Sequence, residues 1–119
     1  MAPLFNDTTM KAVQFALTGV NQRQQATAHN IANVNTPGFR SSRVNFEDSL
    51  ADALRTGRSL DDVTWTTERA NTPINTRGND VALEEESQIL IQAGIHYEAL
   101  VAGLNHKLGV VRTAIGGGR

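Results

Sequence analysis

The sequence predicts an all-α fold, an elongated hairpin of long N- and C-terminal helices paired as in a coiled coil, with a short irregular middle segment. Three observations predict it. Between Val81 and Ile115, apolar or small residues recur at Leu83, Leu90, Ala93, Tyr97, Leu100, Leu104, Leu108, Val111 and Ile115, in steps of three and four or their sum, with no proline. A second stripe of the same period runs through Val13, Leu17, Val20, Gln24, Thr27, Ile31 and Val34. And 119 residues that are 39% hydrophobic and 5% aromatic are thin material for a compact core, which favours an elongated shape.

The N-terminal segment, 1–40, opens with Asn6, Asp7, Thr8 and Thr9, any of which can cap a helix that runs to about Asn33. Its stripe is polar at Gln24 and Thr27, so its burial is partial. Gln22 to Gln25 is a polar turn, exposed by default. Gly19 lowers helix propensity by about 1 kcal/mol relative to Ala and marks either a close packing contact or nothing. Thr36-Pro37-Gly38-Phe39 reads as a type II turn, because Pro presets φ at its second position and Gly supplies the positive φ at its third. Asn33 and Asn35 satisfy loose carbonyls at the helix end or take left-handed geometry there.

In the middle segment, 41–79, Asn45 caps a short helix from Phe46 to Arg55, with Phe46, Leu50 and Leu54 on one side and Gly57 closing it. From Leu60 to Arg77 the chain is rich in Thr, Asn and Asp and reads as loop, with a small extended segment where Val63 and Trp65 alternate with Thr64 and Thr66. The single Trp65 is expected to anchor this loop to a helix. In the C-terminal segment, 80–119, Asn79 or Asp80 caps the long helix. Glu84, Glu85 and Glu86 complement the positive end of its dipole from a solvated face; His106, Lys107 and Arg112 complement the other end, and Gly116 to Gly118 stop it. The three segments form one domain.

Composition excludes several functions. Eleven basic and 12 acidic residues give a net charge of −1 with no basic run, so nothing suggests a nucleic-acid surface. The absence of cysteine rules out disulfides and thiolate zinc sites. No apolar run approaches the roughly 18 residues that span a bilayer, and Met1 to Phe5 is too short for the core of a cleavable signal peptide. His29, His96 and His106 fall on no metal-ligand spacing, and no serine sits in a GxSxG context. No catalytic, cofactor or metal site is therefore expected.

Ala32-Asn33-Val34-Asn35-Thr36-Pro37-Gly38-Phe39-Arg40 matches the pattern ANxxTPGF[KR] and resembles the signature of the bacterial flagellar axial proteins, the rod and hook family. Gly78-Asn79-Asp80-Val81 leading into Leu83-Glu84 is similar to the same family. His29 and Ala82 depart from it, standing where Ser and Asp are usual. There is no room for the inserted β-domains of the long members, and Phe46-Glu47-Asp48-Ser49-Leu50 resembles most the short proximal-rod members. The resemblance implies a structural subunit of a hollow axial shaft in the basal body. Signature residues Ala32, Asn33, Thr36, Pro37, Gly38 and Phe39 would set the turn, and Val13, Leu17, Val20, Ile31, Leu90, Tyr97, Leu100, Leu104, Leu108, Val111 and Ile115 would pack the assembly. Implied partners are copies of the chain, other rod proteins, the membrane-anchored ring with its rod adaptor, and the flagellar type III export apparatus, which needs no cleavable signal. No nucleic acid or membrane insertion is implied. The alternatives are another short rod subunit, or a soluble helical-hairpin export adaptor or chaperone.

Overall fold

The computed structural model describes residues 8–117. Capping by Asn6 or Asp7 and a helix stop at Gly118 fall outside those residues. Two long helices dominate: α1 spans Thr8–Ala32 and α3 spans Leu83–Gly117. They run antiparallel, since Asn30 near the end of α1 bonds Glu86 in the first turn of α3 at 3.1 Å, while Ala16 and Val20 share a cavity with Ala99 and Leu100. The molecule measures 68 × 27 × 16 Å, elongated along this pair.

The middle segment is more structured than its composition suggests. Strand β1 (Ser42–Asn45) pairs antiparallel with β2 (Thr66–Arg69), Ser42 opposite Arg69 and Asn45 opposite Thr66, so the fold is mostly rather than entirely α. The extended stretch expected at Val63 to Thr66 lies instead at Thr66–Arg69, where every residue is exposed. β1 went unread because four residues with one buried position, Val44, carry too little alternation to register.

Between the strands, α2 (Glu47–Thr56) ends at Gly57 in left-handed geometry, φ 73°, whose N–H bonds the Ala53 carbonyl. The helix starts one residue later than expected, with Phe46 rather than Asn45 at its N-cap and no cap bond from that side chain; Asn45, one residue before, still reaches the first turn, its Oδ1 accepting from the Asp48 amide at 3.3 Å. Of the face expected on α2, Phe46 is buried, Leu50 half-buried and Leu54 exposed. A 3-10 turn at Leu60–Asp62 leads into β2, and Ser59 Oγ accepts from the Asp61 amide there.

The core gathers where α1, β1 and α3 meet: Phe15, Ala16, Val20, Val44, Phe46 and Ala93, with Leu50, Val63, Trp65 and Leu100 against it. Phe15 meets Phe46 edge-on at 6.5 Å and Trp65 at 6.3 Å, so Trp65 anchors the loop to α1 as expected. Gly19 is a close contact: a Cβ there would overlap the Phe46 ring. Arg23, in the turn expected to be plainly solvated, lies 4.8 Å over that ring and donates to Val44 O at 2.7 Å and to Glu47 Oε2 at 2.8 Å.

The start of α3 differs from expectation. The helix begins at Leu83, with Glu86 N–H bonding Ala82 O at 2.9 Å, and neither Asn79 nor Asp80 caps it. At the other end α3 continues through Gly116 to Gly117, inside the glycine run expected to stop it. The face that meets α1 also differs. Glu86, Ala93 and Leu100, seven apart, turn inward, whereas Leu90, Tyr97 and Ile115 of the expected stripe stay exposed.

Candidate functional site

The signature turn forms as its residues dictate. Phe39 N–H bonds Thr36 O at 3.2 Å and Gly38 takes φ 77°, the bond and the positive φ that a type II turn requires. Asn33 finishes α1 from its side chain, donating through Nδ2 to His29 O at 2.8 Å and accepting from Thr36 Oγ1 at 3.0 Å. It does so without left-handed geometry, since only glycines have positive φ among the described residues. Ala32 and Pro37 are exposed, and Phe39 packs against His29, ring centroids 5.5 Å apart.

The turn is one half of a clasp; the other half is the loop before α3. Asn79, almost wholly buried, donates both hydrogens of its amide, to Asn33 O at 2.9 Å and to Thr36 O at 2.8 Å. Its Oδ1 accepts from the Val81 amide at 2.7 Å. Gly38 N–H bonds Arg77 O at 2.8 Å, and Asp80 N–H reaches Phe39 O at 3.4 Å. The loop is itself pinned by Asn75, whose Oδ1 accepts from the amides of Arg77 at 2.9 Å and Asn79 at 3.0 Å. Gly78 has φ 77° and approaches so closely that a Cβ on it would stand 3.4 Å from the Gly38 Cα. Asn79 does not cap α3 because its amide is engaged elsewhere, giving the carbonyls of Asn33 and Thr36 a second donor beside the Thr36 and Phe39 amides.

Asp80 completes the clasp. Its Oδ1 accepts from the Ser41 amide at 2.5 Å and its Oδ2 from Arg40 Nε at 3.0 Å. Burial opposes charge on this carboxyl, but the Ser41 amide and the Arg40 guanidinium outweigh it and hold the group below the ordinary carboxylate range.

Beside the clasp lies a buried polar cluster that the sequence reading missed. Asn30 is fully buried; its Nδ2 donates to Ser42 O at 2.9 Å and Glu86 Oε2 at 3.1 Å, and its Oδ1 accepts from Ser42 N–H at 3.2 Å. Arg43 Nη1 donates to Glu86 Oε1, and its Nη2 lies 3.4 Å from Glu85 Oε1. Glu86 is thus a buried partner, not a solvated dipole charge. The signal was its register, seven residues before Ala93 and fourteen before Leu100.

The expected packing residues are distributed unevenly. Val20 is in the core and Leu100 packs against it; Val13, Leu17, Ile31, Leu104 and Leu108 are half-buried. Leu90, Tyr97 and Ile115 face outward with Leu83, Ile91, Ile95 and Val110, and the side chain of Val111 lies outside the described residues. Among the described residues no three His, Asp or Glu side chains gather as metal ligands, and no helix is long and apolar enough to cross a membrane.

The geometry thus offers a locked turn and an exposed apolar side of α3. The family described as "Flagella basal body rod protein" matches residues 14–40, which include the whole turn. The chain is 28% identical to the flagellar basal body rod protein FlgB of Bacillus subtilis (strain 168), over 93% of this chain and 95% of that one. It is 26% identical to FlgB of Aeromonas hydrophila, over 87% and 89%. With FlgB of Proteus mirabilis (strain HI4320) it shares 29% identity, over 78% and 57%. A signature turn matched together with its helix, a partner loop built to hold that turn, and similarity to short rod proteins along nearly their whole length point the same way: the chain is similar to the flagellar basal-body rod proteins.

Proposed function

We propose that this chain is a subunit of the proximal end of the flagellar rod and polymerises through its terminal helices, in coiled-coil-like packing, into a hollow axial shaft. The observation that carries the reading is the outward side of α3. Leu83, Leu90, Ile91, Ile95, Tyr97, Val110 and Ile115 are all exposed on a helix that α1 covers along one face only. So many exposed apolar side chains, spread over more than one face, exceed what a lone solvated helix requires, and neighbouring subunits supply the missing cover. Contacts of one face with a different face of the next copy do not close, and so build a filament. The partners in this reading are copies of the chain, other rod proteins, the membrane-anchored ring with its adaptor, and the type III export apparatus that delivers the chain to the basal body. Of the residues expected to pack the assembly, Leu90, Tyr97 and Ile115 are free to meet neighbours, whereas Val20 and Leu100 serve the subunit's own core.

The test is a chain carrying Ile91→Asp and Ile95→Asp. Both positions are more than half exposed, so its stability to urea should stay within about 1 kcal/mol of the parent. Cells relying on it should build no rods and not swim. Normal rods from this variant would overturn the reading.

A further inference from the structure

Between Leu83 and Leu100, the strip that α3 buries most deeply is not its most apolar one. At about 100° per residue, Leu83, Leu90 and Tyr97 form a continuous stripe rotated by about 60° from Glu86, Ala93 and Leu100. The stripe carries three large apolar side chains, 49%, 37% and 41% exposed, while the buried set contains a carboxylate at 0% and an alanine at 1%. Apolar burial alone would roll the helix the other way. What opposes the roll is the polar cluster: rolling would carry Glu86 away and strip the half-buried Arg43 guanidinium and the buried Asn30 amide of the carboxylate they share.

We propose that the Glu86, Arg43 and Asn30 cluster selects the face of α3, holding the helix in the rotation that keeps the Leu83, Leu90 and Tyr97 stripe outside. The cluster acts through geometry: Asn30 is tied to β1 by two bonds with Ser42, Arg43 belongs to β1, and both converge on the one side chain of α3 that must then point inward. The rotation leaves for neighbouring subunits a stripe that the hairpin would otherwise consume. That purpose rests on the assembly reading above, but the rotation is measurable on the isolated chain.

The chain has no cysteine, so single cysteines report faces directly. In the full-length parent, a thiol placed by Leu90→Cys should react with a maleimide at least tenfold faster than one placed by Ala93→Cys. In chains also carrying Glu86→Leu and Arg43→Leu, the order should equalise or invert while circular dichroism stays helical. Adding Tyr97→Gln and Leu83→Gln to those chains removes the competing stripe and should restore protection at position 93. If the close approach at Ala93 alone sets the rotation, the Glu86→Leu, Arg43→Leu chain will keep position 93 protected, and the proposal is wrong. Loss of helicity in that chain also overturns it, because a second apolar face able to pair with α1 is part of the claim. Failure of rod assembly in the Ile91, Ile95 test bears on the other reading and leaves these rates untouched.

Discussion

Asn79 reaches across 46 residues of sequence to donate its amide to the carbonyl of Asn33, at 2.9 Å, while its other hydrogen goes to Thr36 O at 2.8 Å. This side chain joins the end of α1 to the start of α3. Asn79→Ala should therefore cost about 1–3 kcal/mol, from the two bonds lost between the end of α1 and the loop before α3. Asn79→Asp should cost as much or more, because a carboxylate offers no hydrogen to either carbonyl. Urea unfolding of both, against an exposed control such as Asn35→Ala, checks this.

Gly38→Ala should destabilise by about 1–2 kcal/mol, since position 38 holds φ 77° and an L side chain resists it although the space is open. Gly38→Val should be worse and should impair rod formation, while Gly38→Asn should be the mildest of the three. Thermal melts and motility of the three strains would show the order; equal effects would mean that the turn does not depend on this φ.

Gly19→Ala ought to help a solvated helix by about 1 kcal/mol. Here the new methyl meets the Phe46 ring, so a net loss of about 1–3 kcal/mol is expected. Trimming the ring with Phe46→Val should remove most of the penalty for Gly19→Ala, a coupling that a double-mutant cycle measures.

Acid should loosen the clasp. Because the Asp80 carboxyl is held below its ordinary range in the folded chain, its contribution is fully present above the unfolded value of about 4 and is lost as pH falls through the lower folded value. Stability measured from pH 6 down to pH 3 should fall more steeply for the parent than for Asp80→Asn. Parallel curves would show that Asp80 is not linked to folding.

Much of this protein was legible from local chemistry. Two long helices, the type II turn and the left-handed stop at Gly57 follow from periodicity and from Pro and Gly at positions where few other residues fit, and each depends on neighbours within a few residues. The short sheet was not legible, because pairing Ser42–Asn45 with Thr66–Arg69 is a relation between distant segments and neither alternates strongly by itself. Nor were the roles of Asn79, Asp80 and Glu86. Each sits where a cap or a dipole charge is the local expectation, and each is drawn instead to partners 39 to 56 residues away. By itself the sequence determined that both ends would be helical and that Thr36 to Phe39 would turn the chain. Only the tertiary structure decided which face of α3 is inside, because α3 is apolar on several sides and hydrophobicity alone does not choose among them, whereas a buried carboxylate with two donors on the neighbouring elements does.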